Sequence, residues 1–245
     1  GRENKVSMFD LKTLALVKKI DVGKGPDGIY FDPGTGRVFT NNHGTHNISA
    51  IDASTGTLIG TVNVKGDGEQ SVLGKDGLIY VNLEDTSEVV AFNPRTLAVE
   101  KRFSIGLAKT PTGLAYDEKT NTLFIGCHDG PKMVAMSASD GKVFGSFDIG
   151  KGVDFAGFDP KEKLIFFSCS DGTLSIYREK SLGIFEDAGA VKTQPSARTM
   201  AFDPKTGKIF LSAAEYEEIP PAEPGKRPGR RLKPGSFSII VVSRQ

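Results

Sequence analysis

One pattern constrains this chain more than any other. The segment "PDGIYFDPGTGRVFTNN" (Pro26 to Asn42) recurs as "PTGLAYDEKTNTLFIGC" (Pro111 to Cys127), as "VDFAGFDPKEKLIFFSC" (Val153 to Cys169) and as "ARTMAFDPKTGKIFLSA" (Ala197 to Ala213). A worn copy is "EQSVLGKDGLIYVNL" (Glu69 to Leu83). Alignment of the five copies puts Asp27, Gln70, Thr112, Asp154 and Arg198 in one column, at steps of 43, 42, 42 and 44 residues. So even a period marks a repeat architecture, in which each unit buries its apolar face against its neighbours.

Each unit reads as four short strands, which in the first copy are "GIYFDP", "RVFTNN", "NISAID" and "LIGTVNV". The runs are rich in Val, Ile and Phe and are bounded by Gly, Asp, Asn or Pro. "DPGTG", "DPKTG" and "DASTG" are turns with a mechanism: Asp and Thr oxygens bond the backbone, and Gly supplies a positive φ. No helical period competes. Four-stranded units at this spacing are blades of a β-propeller, an all-β fold whose radial repetition leaves only short, protected edges. Residues 1–245 are read as one such domain. A second column, Phe39, Tyr80, Phe124, Phe166 and Phe210, falls at the same place in the second strand of every unit. That recurrence marks packing between blades, not a ligand platform.

Composition removes several function classes. With 31 basic and 30 acidic side chains, the net charge gives no argument for nucleic acid or an anionic membrane. The longest apolar runs are a few residues, too short to cross a bilayer. Cys127 and Cys169 occupy equivalent places in adjacent units, so they point the same way and are read as buried free thiols, not as a disulfide.

"LIYVNLEDTSEVVAFNPRT" and "VFTNNHGTHNISAIDASTG" resemble the YVTN-type β-propeller repeats of bacteria, in which a "YVTN" strand end precedes "xVxVID" and then "TG". The resemblance runs from Asn4 to Val242. It implies a seven-bladed ring, export to the periplasm or cell surface, and no particular activity. Strand counting tests the blade number. "KVSMFD" and "LVKKIDV" read as the third and fourth strands of a unit that lacks its first two, four whole units follow, and the last unit stops after three strands. That is 21 strands against the 28 of seven blades, a deficit on the order of seventy to eighty residues. The expectation is a chain lacking about its first two blades, and any signal peptide with them. The rival is a five-bladed ring in which "LVKKIDV" supplies the missing fourth strand.

In a propeller, the loops joining one blade's fourth strand to the next blade's first share a face with the loops between second and third strands. By analogy of fold, ligands bind on that face near the axis. The axial column Asp27, Gln70, Thr112, Asp154 and Arg198, with Glu69 beside Gln70, is therefore the candidate ligand-binding rim. Its varied residue types suit a polar ligand, and equally a water-filled channel mouth. His43 and His46, in "NNHGTHN", and His128, in "GCHDGPK", lie in second-to-third-strand loops of the same face. Imidazole suits zinc or copper, but loops two blades apart are too distant to share an ion whose bonds are about 2.0–2.3 Å. The histidines are read as surface turns, and no metal or cofactor is assigned.

The stretch "AAEYEEIPPAEPGKRPGRRLKPG", centred on residues 214–235, replaces a short loop with a Pro-rich insertion. Its acidic half precedes a basic half carrying Lys226, Arg227, Arg230, Arg231 and Lys233. It is read as a solvated loop, mobile or polyproline-like, on the functional face, with a lid or docking arm as the alternative. Without interleaved aromatics, nucleic-acid binding is not favoured. No nucleophile elbow, P-loop, dinucleotide fingerprint, HExxH or CxxCH occurs. The leading expectation is a non-catalytic propeller that binds a small polar molecule or a protein through its axial face. The alternative is a lactonase-like hydrolase or metal-dependent enzyme on the same rim.

Overall fold

A computed structural model describes residues 1–220 and 229–244. A hairpin of β1 (Lys5–Phe9) and β2 (Leu16–Asp21) precedes the first blade. That blade comprises β3 (Pro26–Asp32), β4 (Arg37–Asn42), β5 (Asn47–Asp52) and β6 (Thr57–Val62). The second comprises β7 (Gly68–Leu73), β8 (Ile79–Leu83), β9 (Glu88–Phe92) and β10 (Val99–Ser104). The third holds β11 (Lys109–Asp117), β12 (Thr122–Asp129), β13 (Lys132–Ser137) and β14 (Val143–Asp148). The fourth holds β15 (Val153–Asp159), β16 (Leu164–Cys169), β17 (Thr173–Ser181) and β18 (Ile184–Lys192). The fifth begins with β19 (Thr199–Asp203) and β20 (Lys208–Ala213). A separate hairpin of β21 (Tyr216–Ile219) and β22 (Gly229–Leu232) intervenes before β23 (Ser238–Val242) joins β20. All pairing is antiparallel and runs in chain order within the first four blades, while in the fifth β23 pairs with β20 across the inserted hairpin, so the chain forms five blades of a β-propeller, the last with three strands.

The turn chemistry is as the sequence dictates. Asp32 accepts the Gly34 N–H at 3.2 Å and the Thr35 hydroxyl at 2.5 Å, while Gly36 supplies φ +66°. Asp117 and Asp203 repeat the arrangement with Lys119 and Thr120, and with Lys205 and Thr206. Each side-chain acceptor closes its turn locally and so fixes the register of the hairpin it joins.

The core lies between blades. Phe39 of the first blade packs with Ile79, Val81, Leu83, Val90 and Phe92 of the second. Tyr80 packs with Leu123, Ile125 and Met136 of the third, Phe124 with Ile165 and Phe167 of the fourth, and Phe166 with Ile209 and Leu211 of the fifth. These four aromatics are buried, and each buried side chain of this size contributes on the order of 1.5–3 kcal/mol. Phe210, the fifth member of the column, has no blade packed over it among the described residues and is 36% exposed. At the opposite end Ile29 and Phe31 are 63% and 52% exposed, whereas their fourth-blade counterparts, Ala156 and Phe158, are buried or partly buried between blades.

First strands touch in sequence, β3 to β7, β7 to β11, β11 to β15 and β15 to β19, and among the described residues no comparable contact joins β19 to β3. β2 pairs with β1 and contacts β6, and it does not pair with β23. The five-bladed closure that would have used "LVKKIDV" as the last fourth strand is therefore not the arrangement formed. The insertion also differs from expectation: its two ends pair as a hairpin instead of running as polyproline, with Arg231 bonded to Glu217 at 3.2 Å and Lys233 to Glu215 at 2.8 Å. Opposite charges at matched positions hold its register. Lys226 and Arg227 lie outside the described residues.

Candidate functional site

The axial column is placed by a repeated irregularity. The first strand of each of the first four blades shifts register where its axial residue lies: between Pro26 and Ile29, Gly68 and Ser71, Pro111 and Gly113, and Val153 and Phe155. A β-bulge inserts one residue that the ladder does not pair, and it re-aims that side chain. Asp27, Glu69, Gln70, Thr112 and Asp154 all fall within these bulges. The β19–β20 ladder is regular from Thr199 to Asp203, and Arg198 stands just before it.

The bulges aim their residues differently. Gln70 turns inward: its amide donates to the Ala156 carbonyl at 2.9 Å, while its oxygen accepts the Leu114 and Ala156 N–H groups at 2.8 and 2.9 Å. It thus ties the first strands of the second, third and fourth blades together. Thr112 is buried and donates to the Val153 carbonyl at 2.9 Å. Both side chains are engaged by the framework. Asp27, Glu69, Asp154 and Arg198 instead meet at the mouth, where Arg198 Nη1 lies 3.0 Å from Asp154 Oδ1 and the Thr199 hydroxyl donates to Asp154 at 3.3 Å.

Negative charge is concentrated there. The Glu69 side chain is only 15% exposed. Burial pushes its pKa up to about 8, with Glu84, Asp27 and Asp154 adding electrostatic repulsion. Burial also raises Asp154, partly offset by Arg198. Glu84 was not among the residues singled out from the sequence. It follows the second strand of its blade at the position held by His43 in the first and His128 in the third. Reading that second column across the repeats is the signal that finds it.

The same column decides the histidines. A 3-10 turn at His43–Thr45 folds the loop toward the next blade. His43 Nε2 thereby comes 3.4 Å from Glu69 Oε1, 3.9 Å from Asp27 Oδ2 and 3.0 Å from the Gly68 carbonyl oxygen. His46 turns away, with φ +50°, to lie 2.9 Å from Asp67. The two histidines of "HGTH" therefore serve separate carboxylate groups. His128 is half exposed and lies 3.3 Å from Asp129.

Beside the mouth lies a cleft of about 1060 Å³. One wall carries Lys151 and Arg198, and the other carries Tyr216, Glu218, Arg230 and Lys233 of the inserted hairpin and the residue after it. Arg198 is shared between cleft and mouth. Cys127 and Cys169 are free and buried, and burial pushes both thiols up to about 12, which makes them poor nucleophiles and poor metal ligands.

No protein-family model and no curated protein sequence matches this chain. Solved structures do. Hydrazine synthase of Kuenenia stuttgartiensis superposes with a TM-score of 0.67 at 15% identity, covering 96% of this chain and 65% of the other. A chain from a mitotic checkpoint complex superposes with a TM-score of 0.74 at 14% identity, covering 86% and 66%. The chain thus spans slightly less than two thirds of each. At this identity the likeness is one of fold, and the fold is a β-propeller.

Proposed function

We propose that this protein is a non-catalytic binding propeller whose axial mouth takes a polar ligand, small molecule or protein segment, that brings positive charge to its carboxylates. One observation carries the reading. The partly buried Glu69 is repelled by Glu84, Asp27 and Asp154, and Asp27 also repels Asp154, whose counter-charge is Arg198 at 3.0 Å. Like charges held together in a partly buried site favour a cationic partner that relieves them. The adjoining cleft offers room for the remainder of such a ligand and places Arg198 between the two. A similar fold in a chain of a mitotic checkpoint complex supports a protein as one kind of ligand.

The hydrolase alternative uses the same rim and is favoured by one feature only, the approach of His43 to Asp27 and Glu69. The resemblance to YVTN-type repeats supports an exported, periplasmic or cell-surface protein. It also supports a seven-bladed ring, in which further blades would cover Ile29, Phe31 and Phe210.

Thermal-shift screening against polar amines and Lys- or Arg-bearing peptides tests the reading. A hit that stabilises the protein and is lost in Asp27→Asn or Asp154→Asn, with the unliganded melting temperature unchanged, supports it. Hits indifferent to both substitutions would place binding elsewhere and overturn it.

A further inference from the structure

Three potential metal ligands come together from separate elements: Asp27 from the bulge of β3, His43 from the turn after β4, and Glu69 from the bulge of β7. One donor atom from each lies within 4.8 Å of the others. Ligands about 2.0–2.2 Å from a tetrahedral ion stand about 3.3–3.6 Å apart. The 3.4 Å between His43 Nε2 and Glu69 Oε1 already matches, and the 3.9 Å to Asp27 Oδ2 needs only a small inward movement. Asp27 is free to make it, because its side chain is 68% exposed on the bulge. The Gly68 carbonyl, 3.0 Å from the same imidazole nitrogen, supplies a further oxygen on the same side.

We infer that Asp27, His43 and Glu69 form a site for a first-row divalent cation such as Zn²⁺ or Mn²⁺. The donor set decides the class. Imidazole disfavours calcium and magnesium, which take oxygen ligands, and the absence of thiolate disfavours copper(I). A neutral His43 coordinates through Nε2 with its proton on Nδ1, so binding ends the hydrogen bond to Gly68. Three protein ligands leave coordination positions open toward the axis for a ligand's oxygen or nitrogen.

The neighbouring group of His46, Asp67 and Asp85 is a poorer site. Asp85 already accepts the Asp67 N–H at 2.8 Å, and its His46 is more exposed than His43. The inference deepens the proposed binding function, since it names the positive charge at the mouth as a metal ion.

The test is calorimetric titration of the metal-stripped protein with ZnCl₂ alone, repeated with MnCl₂ and followed by electron paramagnetic resonance. A single ion should bind. Asp27→Asn, His43→Gln and Glu69→Gln should each weaken binding by more than the roughly tenfold to hundredfold that loss of a supporting partner costs. His46→Gln should bind as the wild type does. Asp27, being exposed, can be changed without loss of fold, and circular dichroism verifies folding of every variant. No stoichiometric binding, or binding lost in His46→Gln and kept in Asp27→Asn, overturns the site. Polar ligands that still bind in chelator would leave the binding function standing without the metal. A metal that binds at a mouth where no ligand follows would do the reverse.

Discussion

Phe166 and Phe202 meet across the boundary between the fourth and fifth blades, with ring centroids 5.7 Å apart. Phe124 and Phe158 form the same pair one blade earlier, at 5.4 Å. At both of these boundaries an aromatic in one second strand meets an aromatic in the next blade's first strand. Among the described residues Phe31 and Phe210 lack such a partner and stand exposed.

Truncation should therefore cost different amounts along one column. Phe124→Ala, which opens a cavity between two blades, is expected to destabilise by about 3–5 kcal/mol. Phe210→Ala should cost less than half as much, because its ring already meets solvent. Urea titration followed by circular dichroism measures both, and equal losses would contradict the inter-blade account.

Gln70 is expected to affect stability before it affects binding. Gln70→Ala leaves the Leu114 and Ala156 N–H groups without their acceptor, at a cost of about 2–4 kcal/mol. If the substitution leaves urea stability unchanged and abolishes ligand binding instead, Gln70 belongs to the rim after all.

Glu179 gives a pH dependence of definite sign. It is buried beside Asp117 and Thr120, and burial, then hydrogen bonding to Asp117, pushes its pKa up to about 7 from 4.5. The folded state holds this proton more tightly than the unfolded chain. Its contribution is thus complete below pH 4.5 and is lost as pH rises through 7, by an amount on the order of 3 kcal/mol. Glu179→Gln should be more stable than wild type at pH 8 and should flatten the stability profile between pH 5 and 7.

The inserted hairpin should be dispensable for folding. β21 and β22 pair only with each other, so replacing Tyr216–Leu232 with a short turn should shift the melting temperature by no more than about 2–4 °C. The same change removes one wall of the cleft. A ligand that needs the cleft should lose affinity in this variant without any loss of fold.

The repeat made the blades legible, because each turn Asp, each bounding Gly and each mid-strand aromatic recurs at one period. The inserted hairpin was not, since its strands are short and polar and its register rests on ion pairs such as Glu217 with Arg231. The rim was half legible. The positions of Asp27, Gln70 and Asp154 recur at register shifts, but a bulge rotates each member separately, and no periodic pattern says that Gln70 turns to the backbone while Glu69 faces the mouth. His43 was read as a turn because its partners, Glu69 and Asp27, belong to other strands. Only the fold of the loop toward the next blade brings them together.

Contact passes from each blade to the next, and among the described residues the first strands of the first and fifth blades make no comparable contact. Opening is easiest where inter-blade burial is least, and amide exchange should report a gradient from the exposed Phe31 and Phe210 toward the third blade. The mouth crosses that gradient, since Asp27 comes from the first blade and Arg198 from the fifth. Whatever binds there links the first and fifth blades, and it stabilises both in proportion to its occupancy.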